Sequence, residues 1–258
     1  MKYIVSGVII ICGLGVFLYA LILWNVYPAS FQREETHDAA LWLERADGAA
    51  RQYFWVEQSG ADEIILYLHG NGDTARRIYD WGGLSALPFD VMIMEYTGYG
   101  QNGGIPSERN LVRDISAAVA ELRHTYPDRP VYIVASSLGG SAAIVAAPEL
   151  KIAGLLTSAA FTRTSDFAPV WVKPLLRMSG SHFDAESAAP DVSVPWEITH
   201  CAGDPMTPSA WAERLFQSAR SGPYGESVNL TIFPCAQHSV PVAFWAEVLE
   251  DLVAASQQ

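Results

Sequence analysis

Six short runs, at residues 64–68, 91–96, 131–135, 155–157, 197–200 and 230–233, are apolar at nearly every position. A strand with one wet face alternates apolar and polar residues, so runs without alternation predict strands covered on both sides. Helix-length stretches lie between most of them. One begins at Ser107, a predicted N-cap after Pro106, and carries Leu111, Ile115, Val119 and Leu122 at helical intervals. Strands alternating with helices imply an α/β fold, a mostly parallel sheet flanked by helices. Upstream, residues 41–45 and 52–57 flank "ADGAA", whose Asp-Gly pair predicts a hairpin at the sheet edge. The stretch 163–195 is longer than an ordinary connection and contains Trp and several Pro, as in lids and substrate-facing loops.

The first segment obeys a different rule. Apolar residues dominate from Tyr3 to Trp24, and no charge lies between Lys2 and Arg33. About twenty such residues match the hydrocarbon thickness of a bilayer. Trp24 and Tyr27 close the stretch as interfacial aromatics do. The expectation is a membrane anchor over 1–27, followed by one catalytic-size domain over 28–258. A cleaved signal and a buried helix are the alternatives. The signal is disfavoured because Tyr27 occupies the position, three before a cut after Ala29, where a small residue is needed. Lys2 on one side and Arg33 followed by two glutamates on the other favour a cytoplasmic N-terminus and an exported domain. The net charge of −12 argues against nucleic acid as a partner. Nothing in the sequence sets an oligomeric state.

Residues 134–143, "VASSLGGSAA", end an apolar run in two adjacent serines. A strand turning sharply into a helix needs small residues two positions either side of its apex. Around Ser137 these are Ala135 and Gly139; around Ser136 they are Val134 and Leu138, which would clash. The apex is therefore Ser137, in a small-x-Ser-x-Gly elbow that exposes a serine oxygen at the sheet's C-terminal edge. A hydroxyl that merely caps the following helix is the alternative for this stretch taken alone.

A serine hydroxyl needs a base within reach and a carboxylate to orient that base. "CAGDPMTP" follows one later strand and offers Asp204; "PCAQHSVP" follows the last and offers His238. "LYLHGNG" at 66–72 supplies a Gly-rich turn, with the backbone amides of Asn71 and Leu138 as candidate oxyanion donors. His69 in that turn is assigned to bracing the loop. No Cys-x-x-Cys or clustered His suggests a metal, and no cofactor is implied.

"HGNG", "EYTGYGQNGGIPSE", "ASSLGGSAA", "GDPMTP" and the terminal histidine loop, in that order, resemble the alpha/beta-hydrolase superfamily. They are similar to a branch of single-pass, membrane-anchored serine hydrolases that includes palmitoyl-thioesterases. The resemblance implies an alpha/beta-hydrolase fold behind an N-terminal transmembrane helix, with Ser137 as nucleophile, Asp204 as acid and His238 as base. Asn71 and Leu138 would be its oxyanion donors. Ala135 stands where the first glycine of the elbow is usual, and "CAGD" replaces a more usual "HG" before the acid. In this fold Cys201 and Cys235 end neighbouring strands, close enough for a disulfide, with two buried thiols as the alternative.

The function implied is hydrolysis of an ester or thioester of a small-molecule or acyl substrate. The alternatives are a peptidase acting on short peptides and a catalytically silent, membrane-tethered binding module. Phe167, Trp171, Leu175, Leu176 and Phe183 suggest an apolar pocket under the 163–195 segment, or equally the packing of its helices on the core.

Overall fold

The computed structural model describes residues 2–257, with side chains from residue 12 onward. Eight strands form one sheet: β1 (Leu41–Glu44), β2 (Ala50–Val56), β3 (Ile64–Leu68), β4 (Asp90–Met94), β5 (Val131–Ser136), β6 (Gly154–Ser158), β7 (Trp196–Cys201) and β8 (Val228–Phe233). Their spatial order is β1-β2-β4-β3-β5-β6-β7-β8. The β1–β2 hairpin is antiparallel and joins β4 antiparallel, while β4, β3, β5, β6, β7 and β8 run parallel.

Among the described residues, eight α-helices accompany the sheet: α1 (Lys2–Val26), α2 (Ala75–Trp81), α3 (Glu108–Thr125), α4 (Leu138–Ala146), α5 (Lys173–Met178), α6 (Ala185–Ala188), α7 (Ser209–Arg220) and α8 (Trp245–Ser256). Ser107 caps α3 by accepting a hydrogen bond from the Asn110 amide at 3.2 Å. Side-chain alternation sorts the central strands onto two cores. Ile64, Leu66 and Leu68 pack with residues of α3, α4 and α7 on one face. Ile65 and Tyr67 pack with residues of α2 and α8 on the other. Burying each such aliphatic side chain is worth about 1.5–3 kcal/mol, and this double layer explains the absence of alternation in the sequence. β8 departs from that expectation. It is an edge strand, paired on one side with β7, and Asn229 and Ile232 are exposed.

The hairpin is locked to α3 by charge. Asp114 of α3 is fully buried and accepts hydrogen bonds from Arg45 (2.7 Å), Arg51 (2.7 Å) and the Thr97 amide (2.7 Å) and hydroxyl (2.6 Å). An ionised carboxylate is tolerated there only because its lone pairs are fully occupied.

The membrane-anchor expectation falls partly on residues 1–11, which lie outside the residues with described side chains. Among the described residues, no helix is long and apolar enough to cross a membrane. What the structure describes of α1 is its junction with the domain. Leu23 and Val26 pack against the core, and Tyr27 is buried.

Candidate active site

β5 ends at Ser136, and the chain turns through Ser137 directly into α4. Ser137 has φ 51° and ψ −114°, a left-handed conformation that costs a non-glycine residue about 1–3 kcal/mol. The turn is held because the Ser137 amide donates to the Ser158 carbonyl at 2.8 Å. Gly139 shows why the apex tolerates only small neighbours. A Cβ there would lie 2.6 Å from the Leu68 carbonyl oxygen and 2.7 Å from that of His69.

The parallel strands deliver the other two groups to the same rim. Asp204 follows β7 and His238 follows β8, which lies beyond it at the sheet edge. His238 Nε2 is 2.9 Å from Ser137 Oγ, and its Nδ1 lies 2.9 Å and 3.1 Å from the two oxygens of Asp204. Each ring nitrogen therefore faces a different partner, the geometry in which a carboxylate fixes the imidazole for proton transfer.

Asp204 is held by its own loop as well as by His238. Its side chain is buried and accepts hydrogen bonds from the Met206 amide (2.7 Å), the Thr207 amide (3.0 Å) and the Thr207 hydroxyl (2.6 Å). Burial raises the carboxyl, but these bonds and the one from His238 outweigh it and hold the group below its ordinary value. Behind it, fully buried His200 donates from Nε2 to the Thr207 carbonyl at 2.8 Å. Thr207 escaped sequence reasoning; its signal was the threonine three residues after an aspartate in "GDPMTP", a spacing at which a side chain can return to the turn.

Cys201 and Cys235 form a disulfide with a Cα–Cα distance of 4.9 Å. The Gly203 amide donates to the Cys235 carbonyl at 2.9 Å, so the Asp204 loop is joined to the His238 loop both covalently and through the backbone. Ser136, the other serine of the pair, sits 3.3 Å from the Ser239 hydroxyl and touches the His238 loop without facing His238 Nε2.

His69 is fully buried and lies away from this triplet. Its Nε2 is 2.9 Å from Glu95 Oε1, and its Nδ1 is 2.8 Å from the Gly70 carbonyl. Glu95 in turn accepts from the Ala75 amide at 3.0 Å, so the pair clamps both ends of the Gly-rich turn. Glu95 too was missed, because its partners lie 20 and 26 residues away.

Two cavities meet at Ser137 and His238. One, of about 530 Å³, also touches Asn71 and Leu138 and is lined by Phe167, Trp171 and Leu176 together with residues of α1. Leu138 opens α4, where an amide has no intrahelical acceptor. The second cavity, of about 650 Å³, is lined by more polar groups, among them Asp73, Ser136, Gln237 and Ser239. Of the five apolar residues singled out in the 163–195 segment, Phe183 instead packs in the core against Tyr27 and Phe161, and Leu175 does not line the first cavity.

The fold, the strained serine turn and the order of the three polar groups define a class: the chain belongs to the alpha/beta-hydrolase superfamily. Residues 59–185 match the family model described as serine aminopeptidase, S33. The lysophosphatidylserine lipase ABHD12 of Macaca fascicularis is 27% identical over 204 residues, covering 70% of this chain and 51% of that protein. An uncharacterized protein of Mycobacterium tuberculosis is 28% identical over 207 residues, 78% of this chain and 72% of its own length. The chain thus spans about half the length of the lipase it matches. Among solved structures, the esterase Pf2001 of Pyrococcus furiosus shares the fold with a TM-score of 0.66 at 16% identity, over 85% of this chain and 90% of that one.

Proposed function

We propose that this chain is a serine hydrolase that cleaves an ester or thioester through an acyl-enzyme on Ser137. The observation carrying this reading is His238 standing within hydrogen-bond distance of both Ser137 and Asp204 beside an apolar cavity. Ser137 Oγ attacks the carbonyl carbon as its proton passes to His238 Nε2, and Asp204 stabilises the imidazolium that forms. The carbonyl oxygen becomes an oxyanion facing the amides of Asn71 and Leu138, each worth about 3 kcal/mol of transition-state stabilisation. Collapse expels the alcohol or thiol, which takes the proton from His238. A water molecule then gives its proton to His238, attacks the acyl-enzyme and releases the acid, returning Ser137 to its starting state.

The lipase and esterase names among the similar proteins support an ester substrate, with the acyl part in the first, more apolar cavity and the leaving group in the second. The family model's name keeps a second reading alive, release of an amino acid from a short peptide. In the same reading, residues 1–27 anchor the chain in a membrane and the 163–195 segment forms a lid-like cover. The catalytic domain then lies on the periplasmic or extracellular side, where its disulfide is stable.

A fluorophosphonate probe and a panel of esters, thioesters and aminoacyl amides test the proposal. Wild type is expected to label and to turn over esters or thioesters fastest, and Ser137→Ala to do neither. Folded wild type that does not label would point to a silent binding module, and fastest turnover of amides to the peptidase.

A further inference from the structure

The apolar cavity beside Ser137 has two walls from distant parts of the chain. Phe167, Trp171 and Leu176 form one; Leu21, Ile22 and Val26, on the last turns of α1, form the other. The described residues lining it include no Lys, Arg, Asp or Glu, so none of these charged side chains interrupts the apolar walls. The end of α1 is also joined to the oxyanion turn itself. Asn71 Nδ2 donates to the Val26 carbonyl at 3.4 Å, and the Ala29 amide donates to the Asn71 carbonyl at 3.4 Å. Tyr27 fixes this junction in the core, with its hydroxyl 3.1 Å from Ser181 Oγ and its ring edge-on to Tyr99 and Phe183. A helix serving only as a leash would need none of these contacts.

We infer that the C-terminal turns of α1 are the second wall of an acyl-chain groove, so that the substrate is a single-chain amphiphile whose hydrocarbon tail lies between α1 and residues 167–176. Leu21 and Ile22 then determine chain-length specificity. This rests on the hydrolase reading above, and deepens it by assigning the acyl side of the site. Each methylene entering such a groove is worth about fourfold in binding, so turnover should climb with chain length until the groove is full.

The test uses the full chain in detergent micelles, with p-nitrophenyl acetate, butyrate, octanoate and laurate. Ile22→Trp and Leu21→Trp fill the groove from the helix side; either serves if the other fails to fold. Phe17→Trp, on the same helix but exposed and outside the cavity, is the control. The ratio of kcat/KM for laurate to that for acetate should fall at least about tenfold in the groove variants and stay at the wild-type value in the control. An unchanged ratio in folded groove variants, or an equal fall in the control, overturns the inference. The hydrolase reading fails separately, if wild type cleaves no ester or Ser137→Ala cleaves as well as wild type. A second arm therefore measures parinaric acid binding by fluorescence to Ser137→Ala, with and without Ile22→Trp. At least about fivefold weaker binding supports the groove without turnover, and equal binding rejects it.

Discussion

On one side of Ser137 the Asp204 and His238 loops are tied together by a disulfide, a backbone hydrogen bond and the bonds converging on Asp204. On the other side lie the end of α1 and the 163–180 stretch, where Val170, Trp171 and Met178 are 80, 72 and 83% exposed. Directional bonds hold groups within the few tenths of an ångström that proton transfer requires. Apolar contacts are non-directional and accept changes of shape. The contrast teaches that substitutions on the first side should switch the chemistry on or off, whereas those on the second should tune which chain is accepted.

The most severe break is Asp204→Asn. It keeps the shape of the side chain but removes the charge that holds His238 in the right tautomer, and kcat is expected to fall roughly ten-thousand-fold. The same variant has a pH signature. Because the folded carboxyl is held below its ordinary 3.8, its contribution to stability is fully present above that value and is lost as the pH falls through the lower, folded one. The difference in unfolding free energy between wild type and Asp204→Asn should therefore be full at pH 7 and close below pH 3.8. A gap that closes at pH 5 or 6 would contradict the depressed value.

Removing the disulfide sharpens the contrast. Cys201 and Cys235 are 34 residues apart, and a loop of that size makes the bond worth about 3–4 kcal/mol. Calorimetry of the Cys201→Ala/Cys235→Ala double variant should show Tm lower by about 10 °C. The folded variant should still lose far less turnover than Asp204→Asn, because the bonds to Asp204 within its own loop remain.

The smallest effect belongs to the substrate side. Trp171→Ala should change stability by less than about 0.5 kcal/mol, as at other exposed positions, while KM for a long-chain ester rises about threefold through lost apolar contact. A large loss of stability, or equal loss with every chain length, would mean that this wall is structural and the division between the two sides is wrong.

Much of the fold was legible because strand burial leaves a near-neighbour record. The runs at 64–68 and 131–135 lie within β3 and β5, and the Asp-Gly signal within "ADGAA" lies at the β1–β2 turn, where Gly48 has φ 78°. The elbow was legible for a steric reason of the same short range: only Ser137 has small residues on both sides, and Gly139 has backbone oxygens within 2.7 Å of where a Cβ would be. The β8 edge was not legible, because Leu230 and Phe233 read as core while the exposure of Ile232 depends on which strand is last in the sheet. Glu95 and Thr207 went unnoticed for a related reason: an acidic residue or a threonine in a loop has no periodicity to betray its partner.

The sequence by itself determined the layered α/β architecture, the apex of the serine turn and the order in which Ser137, Asp204 and His238 follow their strands. Each of these follows from periodicity, local sterics or chain order, which act over a few residues or along the chain. Only the tertiary structure decided that His238 meets a serine 101 residues away, and that the end of α1 reaches the turn at Asn71, 45 residues on, to wall the cavity with Trp171. Those contacts depend on how packed layers bring distant loops to one rim, and no short stretch of sequence carries that information.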